Sequence, residues 1–281
     1  GGGVSGDDPV VGDATDAVAD VGAGPVTPPR PAGRAADVLE RYALLLALVG
    51  VVVFFSVLPA TSDTFFTVTN LKFVLNNQAV PVLVALAVTI PLICNEFDLS
   101  VGALTALSSV VAAAGMTRFG LGWGPAMLLA IAVTAAIGLL TGVLVARGGI
   151  SSIVVTLAVS SVVIGLLSWY TGGESVLGTF PDPFTSLGTW PWPLVVIVVV
   201  TAALWYLLEQ TTWGRRLYAV GSNREAARLV GIDVATKVTL SLVLSGVLAG
   251  LAGVVAVARN GGANPTVGPS LVLPALAAAY L

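Results

Sequence analysis

Glu96 and Asp98 stand one residue apart in Asn95-Glu96-Phe97-Asp98-Leu99-Ser100, between two apolar runs of about sixteen residues each. Carboxylates this close could divide acid and base roles, hold a coupling ion or face a polar solute. The chain offers little else for catalysis. It has no histidine and one cysteine, Cys94, which speaks against the common zinc and iron sites and rules out Ser-His and Cys-His pairs. It contains neither a Gly-x-x-x-x-Gly-Lys-Ser/Thr phosphate loop nor a Gly-x-Ser-x-Gly elbow. The residues therefore read as a non-enzyme that binds no cofactor itself. Two readings of the carboxylates stay open. A helix of sixteen residues is ~24 Å long, short of a full crossing; with Pro81 and Pro91 in the first run, the pair resembles a discontinuous helix lining a pathway. Carboxylates at membrane depth would then face a wet cavity. Alternatively, Asp98 caps the following helix in a cytoplasmic turn and Glu96 is solvated.

A second cluster is Gly221-Ser222-Asn223-Arg224-Glu225-Ala226-Ala227-Arg228-Leu229-Val230-Gly231-Ile232. Ser222 and Glu225 have capping-box spacing and Gly231 is a helix-stop signal, which predicts one short helix over 223–230. So short a helix is marginal in water, so something must hold it. Ala226, Ala227 and Val230 give it a small, smooth face, and Arg224 and Arg228 a basic one. That suits a tethered helix seated in a partner's groove, or an ordinary helix lying on the protein's own surface.

The elements that must position these clusters are membrane spans. Of 281 residues, 56% are hydrophobic and 10% charged, and the mean hydropathy is +0.97, outside the range of soluble domains. The long runs do not alternate, which excludes a β-barrel. The expected fold is all-α, a polytopic transmembrane helical bundle of at least seven spans, near 43–58, 79–94, 101–116, 125–146, 152–170, 193–208 and 238–258. The apolar run 271–281 covers only about half a bilayer, so further C-terminal spans are expected. Gly138 with Gly142, and Gly246 with Gly250, have the spacing that lets helix backbones approach. Residues 1–40 carry seven of the fifteen acids, with much Gly, Pro and Ala, and read as a disordered acidic cytoplasmic tail. The transmembrane domain is then 41–281. Its loop 209–237, with Arg215, Arg216, Arg224, Arg228 and Lys237, is cytoplasmic, and the Arg- and Lys-free loop 171–193 external, by the positive-inside rule.

Phe97-Asp98-Leu99-Ser100-Val101-Gly102-Ala103-Leu104 resembles the Asp-Leu-Ser-Val-Gly signature of membrane permeases of the ribose, arabinose and xylose type of ABC importer, in the branched-chain amino acid and monosaccharide permease superfamily. Trp213-Gly214-Arg215, Tyr218-Ala219-Val220-Gly221, Glu225-Ala226-Ala227-Arg228-Leu229, Gly231-Ile232 and Leu244-Ser245-Gly246 are similar to that family's cytoplasmic coupling segment and the span after it. Counting spans back from the basic loop puts the N-terminus inside, and the resemblance implies a prokaryotic plasma-membrane subunit that pairs with a second permease subunit, as a homo- or heterodimer. Two cytoplasmic ATPase subunits would carry the ATP and Mg, an extracytoplasmic binding protein would deliver a sugar or polyol, and no nucleic acid would be bound. It assigns Asn223, Glu225, Ala226, Ala227, Arg228 and Gly231 to the ATPase contact, and sets Asp98, Ser100 and Gly102 at the pathway or a hinge; Glu96 joins the pathway set only as a carboxylate of the same polar break. One departure is visible. The familiar pattern has two glycines and an isoleucine where this chain has Asn95, Glu96 and Phe97, which implies a pathway lining for a substrate other than ribose. The alternatives are a branched-chain amino acid permease, an ion- or proton-coupled carrier using Glu96 and Asp98, and a structural scaffold.

Overall fold

The computed structural model describes residues 1–3, 34–59 and 61–280. The acidic tail expected over 1–40 lies largely outside the described residues, and its last part, from Arg34, is the start of helix α1 (Arg34–Val57). The Ala-Ala-Asp-Val-Leu-Glu-Arg run there suits a helix. The chain divides into two units at Phe65. The first holds α1 and the single turn α2 (Ser62–Phe65), where the Phe55 and Phe65 rings stack with centroids 5.9 Å apart.

The second unit opens with α3 (Val68–Asn77), whose N-cap Thr67 accepts from the Asn70 N–H. A 41° bend leads into α4 (Ala79–Ile93). After the polar break come α5 (Val101–Thr117), α6 (Trp123–Ala146) and α7 (Ser152–Thr171). A short helix α8 (Asp182–Ser186) precedes α9 (Trp192–Trp205), which runs on through a π turn at Tyr206–Gln210. Two amphipathic pieces follow, α10 (Thr212–Ser222) and α11 (Arg224–Leu229), then the long α12 (Val234–Asn260). A 3-10 turn, Gly268–Leu271, leads into α13 (Val272–Tyr280). Among the described residues the strands are β1 (Val176–Leu177) and β2 (Gly262–Ala263), paired antiparallel.

Four helices are long and apolar enough to cross a membrane, or five if the bent pair α3 and α4 makes one broken span. By that measure the seven or more spans expected from the sequence become four or five. Two of the seven expected spans fall outside that count: Tyr42–Val57, which is the apolar part of the 24-residue α1, and Val101–Thr117, which at 17 residues is short of ~20. Within the second unit the core lies along α5 and α12. Helix α5 is buried on nearly all sides, as an apolar-all-round helix must be. Helices α6 and α7 turn Leu128, Leu140, Val162 and Trp169 outward, the apolar surface a bilayer would cover. The paired glycines work as their spacing suggests. A Cβ on Gly138 or Gly142 would strike the backbone of Leu242 or Thr239, and one on Gly246 the backbone of Thr134. Helices α6 and α12 therefore approach backbone to backbone, and Thr239 Oγ1 donates to the Gly142 carbonyl at 3.2 Å.

Candidate functional site

Helix α4 ends in two nested turns. The Glu96 N–H donates to the Pro91 carbonyl at 3.1 Å and the Asn95 N–H to the Leu92 carbonyl at 2.9 Å, the bond pattern of a Schellman stop. That stop needs a left-handed residue, and Asn95 supplies it with φ 61°. Asparagine is the residue after glycine that best tolerates this region, so Asn95 can take the turn that ends α4. The break then docks on the first turn of α7. The Phe97 N–H donates to Ser152 Oγ at 3.2 Å, and Thr156 Oγ1 donates to the Phe97 carbonyl at 3.3 Å.

The two carboxylates part company here. Asp98 is 1% exposed. Its Oδ1 accepts from the Ser100 N–H at 3.0 Å and from Ser100 Oγ at 2.6 Å, and its Oδ2 accepts from Ser245 Oγ at 2.7 Å. The bond to the Ser100 N–H is a local turn and not a helix cap, because α5 starts at Val101 and its N-cap is Ser100. Ser245 lies ~17 Å along α12 from its first residue, near the middle of that 27-residue helix. Asp98 thus ties the break to the centre of α12. Glu96 turns the other way. Its Oε1 accepts from Arg224 Nη2 at 2.5 Å, with Glu96 8% and Arg224 42% exposed at the side chain. The same Nη2 donates to the Cys94 carbonyl at 3.0 Å. This pair lines an open, polar cavity of about 600 Å³ together with Asn95, Phe97, Val145 and residues 149–153. Gly102 has a third role, since a Cβ there would strike the backbone of Gly268, so α5 and the 3-10 turn meet at that point.

Helices α10 and α11 sit against the end of α4. A Cβ on Gly221 would run into the Ile93 carbonyl oxygen, so the end of α10 approaches α4 with no side chain between. The helix expected over 223–230 is shorter. It spans Arg224–Leu229, and Ser222 belongs to α10. Asn223 is the cap, its Oδ1 accepting from the Ala226 N–H at 3.0 Å, so the expected Ser222–Glu225 capping box does not form. Asparagine caps as well as serine, and α10 runs one residue further than a box would allow. The stop is as expected: Gly231 has φ 81°, the Ile232 N–H reaches the Ala227 carbonyl and the Gly231 N–H the Arg228 carbonyl, both at 3.0 Å. Ala227 is buried, whereas Glu225, Ala226 and Arg228 are exposed, and Leu229 and Val230 stand 88% and 76% exposed. Just beyond, Asp233 caps α12 and its carboxyl is held below the usual carboxylate range by the hydroxyl and the N–H of Thr236.

Sequence reasoning missed three partners. Arg224 was assigned only to a basic face, and nothing in its spacing points across 128 residues to Glu96. Ser245 stood in the Leu244-Ser245-Gly246 motif, but beside Thr239 and Ser241 in the same span nothing singled it out as a partner of Asp98. Ser152 carried no signal beyond its place after the Gly148-Gly149 turn. No group of three or more His, Cys, Asp or Glu side chains able to hold a metal occurs among the described residues.

Comparison with known proteins gives consistent matches. The family described as branched-chain amino acid transport system / permease component matches residues 70–281. The ribose import permease of Escherichia coli strain K12 is 35% identical over 243 residues, covering 84% of this chain and 75% of that protein. The ribose import permease of Bacillus subtilis strain 168 is 33% identical over 250 residues, covering 87% and 76%. The D-allose transport system permease of Escherichia coli K12 is 32% identical over 251 residues, covering 86% and 75%. No solved structure matches the chain.

Proposed function

Because the chain belongs to the family of branched-chain amino acid transport system permease components, we propose that it is the membrane subunit of an ATP-binding-cassette importer and forms the path for a small carbohydrate. The observation that carries this reading is the form of α11. It is six residues long, capped at both ends, and rooted on the rest of the protein by Ala227 and Arg224 while it presents Arg228, Leu229 and Val230 outward. A helix too short to stand alone, with exposed apolar residues beside a cation, suits a groove on a partner. The partner is a cytoplasmic ATPase subunit that holds ATP and Mg, two of them serving a pair of permease subunits. Asn223, Glu225, Ala226, Arg228 and Gly231 form or shape the contact.

The carbohydrate assignment rests on the relatives, whose names specify ribose and allose. An extracytoplasmic binding protein would present the solute, and the polar break would move when the ATPases close. The protein lies in a prokaryotic plasma membrane with its N-terminus and α10–α11 on the cytoplasmic side, and the shorter apolar helices complete the bundle as spans. Ion coupling through Glu96 is the weaker reading, because the carboxylate already has a guanidinium as its counter-charge.

The test is uptake of radiolabelled ribose and allose into cells expressing the full transporter. Accumulation should persist with a protonophore while ATP is maintained, and stop when ATP is depleted. Uptake that collapses with the proton gradient would overturn the importer reading, and competition by leucine but not by sugars would move the substrate to amino acids.

A further inference from the structure

We infer that Glu96 is a positioning residue that ties α11 to the end of α4, so that a displacement of α11 is delivered to the polar break through the Glu96–Arg224 ion pair. The inference rests on the reading of α11 as the ATPase-docking helix and names the part that passes its motion inward.

Three observations meet at this point. First, Arg224 is the first residue of α11, and its Nη2 holds both Glu96 Oε1 and the Cys94 carbonyl. That carbonyl belongs to the C-cap of α4 and is among those left without an intrahelical donor. A cation there also meets the negative end of the helix dipole. One guanidinium nitrogen therefore grips the side chain and the backbone of the same helix end. Second, Gly221 lies directly on the Ile93 carbonyl, so α10 backs the tie with a stiff backbone contact. Third, Glu96 follows Asn95, whose left-handed turn aims the chain out of α4, and Phe97 is fixed to Ser152 and Thr156. The carboxylate has little freedom to follow Arg224 alone.

If α11 shifts, either the end of α4 shifts with it or Glu96 is left buried without its counter-charge, which is the more costly course. The carboxylate lies on the α4 side of the contact, two residues past the C-cap Cys94. It stands on the wall of the polar cavity, where a moving α4 terminus would change the opening.

The experiment uses the full-length permease extracted with whatever ATPase accompanies it. Cys94 is changed to Ser, and Ser151, an exposed residue on the cavity wall, is changed to Cys as a reporter. The rate of maleimide labelling at 151 is measured with and without Mg-ATP and vanadate. With Glu96 present, trapping the nucleotide should change the rate severalfold. In Glu96→Ala and Arg224→Ala, ATPase should still co-purify, and most of the severalfold nucleotide-dependent change should be lost. The exchange Glu96→Arg with Arg224→Glu should recover part of it, a result that a merely structural role would not give and that keeps the test decisive if a single variant folds poorly. An undiminished change in Glu96→Ala, or a swap no better than the single variants, would overturn the inference alone. Absence of any ATPase or nucleotide effect in the Ser151→Cys protein itself would overturn the reading beneath it.

Discussion

Asp98 and Glu96 share a break of six residues and face opposite sides of it. Asp98 points into the bundle and is satisfied by hydroxyls and one N–H from two elements, with no cation beside it. Glu96 points to a polar cavity and is satisfied by a half-exposed arginine from the short helix α11. The difference follows from what surrounds each group. A carboxyl locked in a dry, packed site fixes structure, because its partners cannot turn to water. One paired with a half-exposed arginine at a polar wall keeps a partner that water can also reach. The same six residues thus join the middle of α12, through Ser245, to the start of α11, through Arg224.

The largest expected effect tests this contrast directly. Asp98→Ala removes three hydrogen bonds and strands the Ser100 and Ser245 hydroxyls, so it should destabilise the protein by ~3 kcal/mol or more. Glu96→Ala frees an arginine that can reach solvent and should cost about 1 kcal/mol or less. Thermal unfolding of the two variants in the same detergent checks the ranking, and equal losses would erase the distinction. Asp98→Asn sharpens it further, since it keeps the shape; transport should then fall only as far as the amount of folded protein does.

Next in size is the comparison of the two left-handed stops. Gly231→Val forces a β-branched residue to φ 81°, a strain of ~1–3 kcal/mol localised in α11, and recovery of ATPase with the permease should drop sharply while the melting temperature moves little. Asn95→Gly at the other stop should be neutral or stabilising by less than ~1 kcal/mol, as read from the melting temperature. A large loss there would mean that the Asn95 side chain serves the cavity as well as the turn.

Smallest is Glu225→Ala. With no capping box to lose, stability should stay within ~0.5 kcal/mol of the parent. A weakened ATPase association at unchanged melting temperature would then place Glu225 in the contact itself.

Much of this was legible in the sequence because lipid imposes simple rules. The apolar runs located the long helices to within a few residues, the glycine pairs marked two spans whose backbones approach a neighbour, though not that the two approach each other, and Gly231 marked the stop of α11. The span count was less legible, since composition cannot say whether a short apolar helix crosses a bilayer or is buried among others, as α5 is. At the break and at α11, the polar residues stood out in the sequence, but most of their partners did not. Ser222 and Asn223 are both good caps, and only the length of α10 decides between them. Pairings such as Asp98 with Ser245 and Glu96 with Arg224 depend on how helices far apart in the chain come to lie side by side, which local spacing does not encode.

The central claim is that α11 receives a partner ATPase. Its most direct test is to extract the full-length protein gently from its native membrane, identify what co-purifies and measure ATP hydrolysis. The account predicts a stoichiometric ATPase whose association is lost in the Gly231→Val variant and kept in Asn95→Gly. A pure, folded permease that carries no ATPase, or one whose ATPase stays bound when α11 is altered, would contradict it.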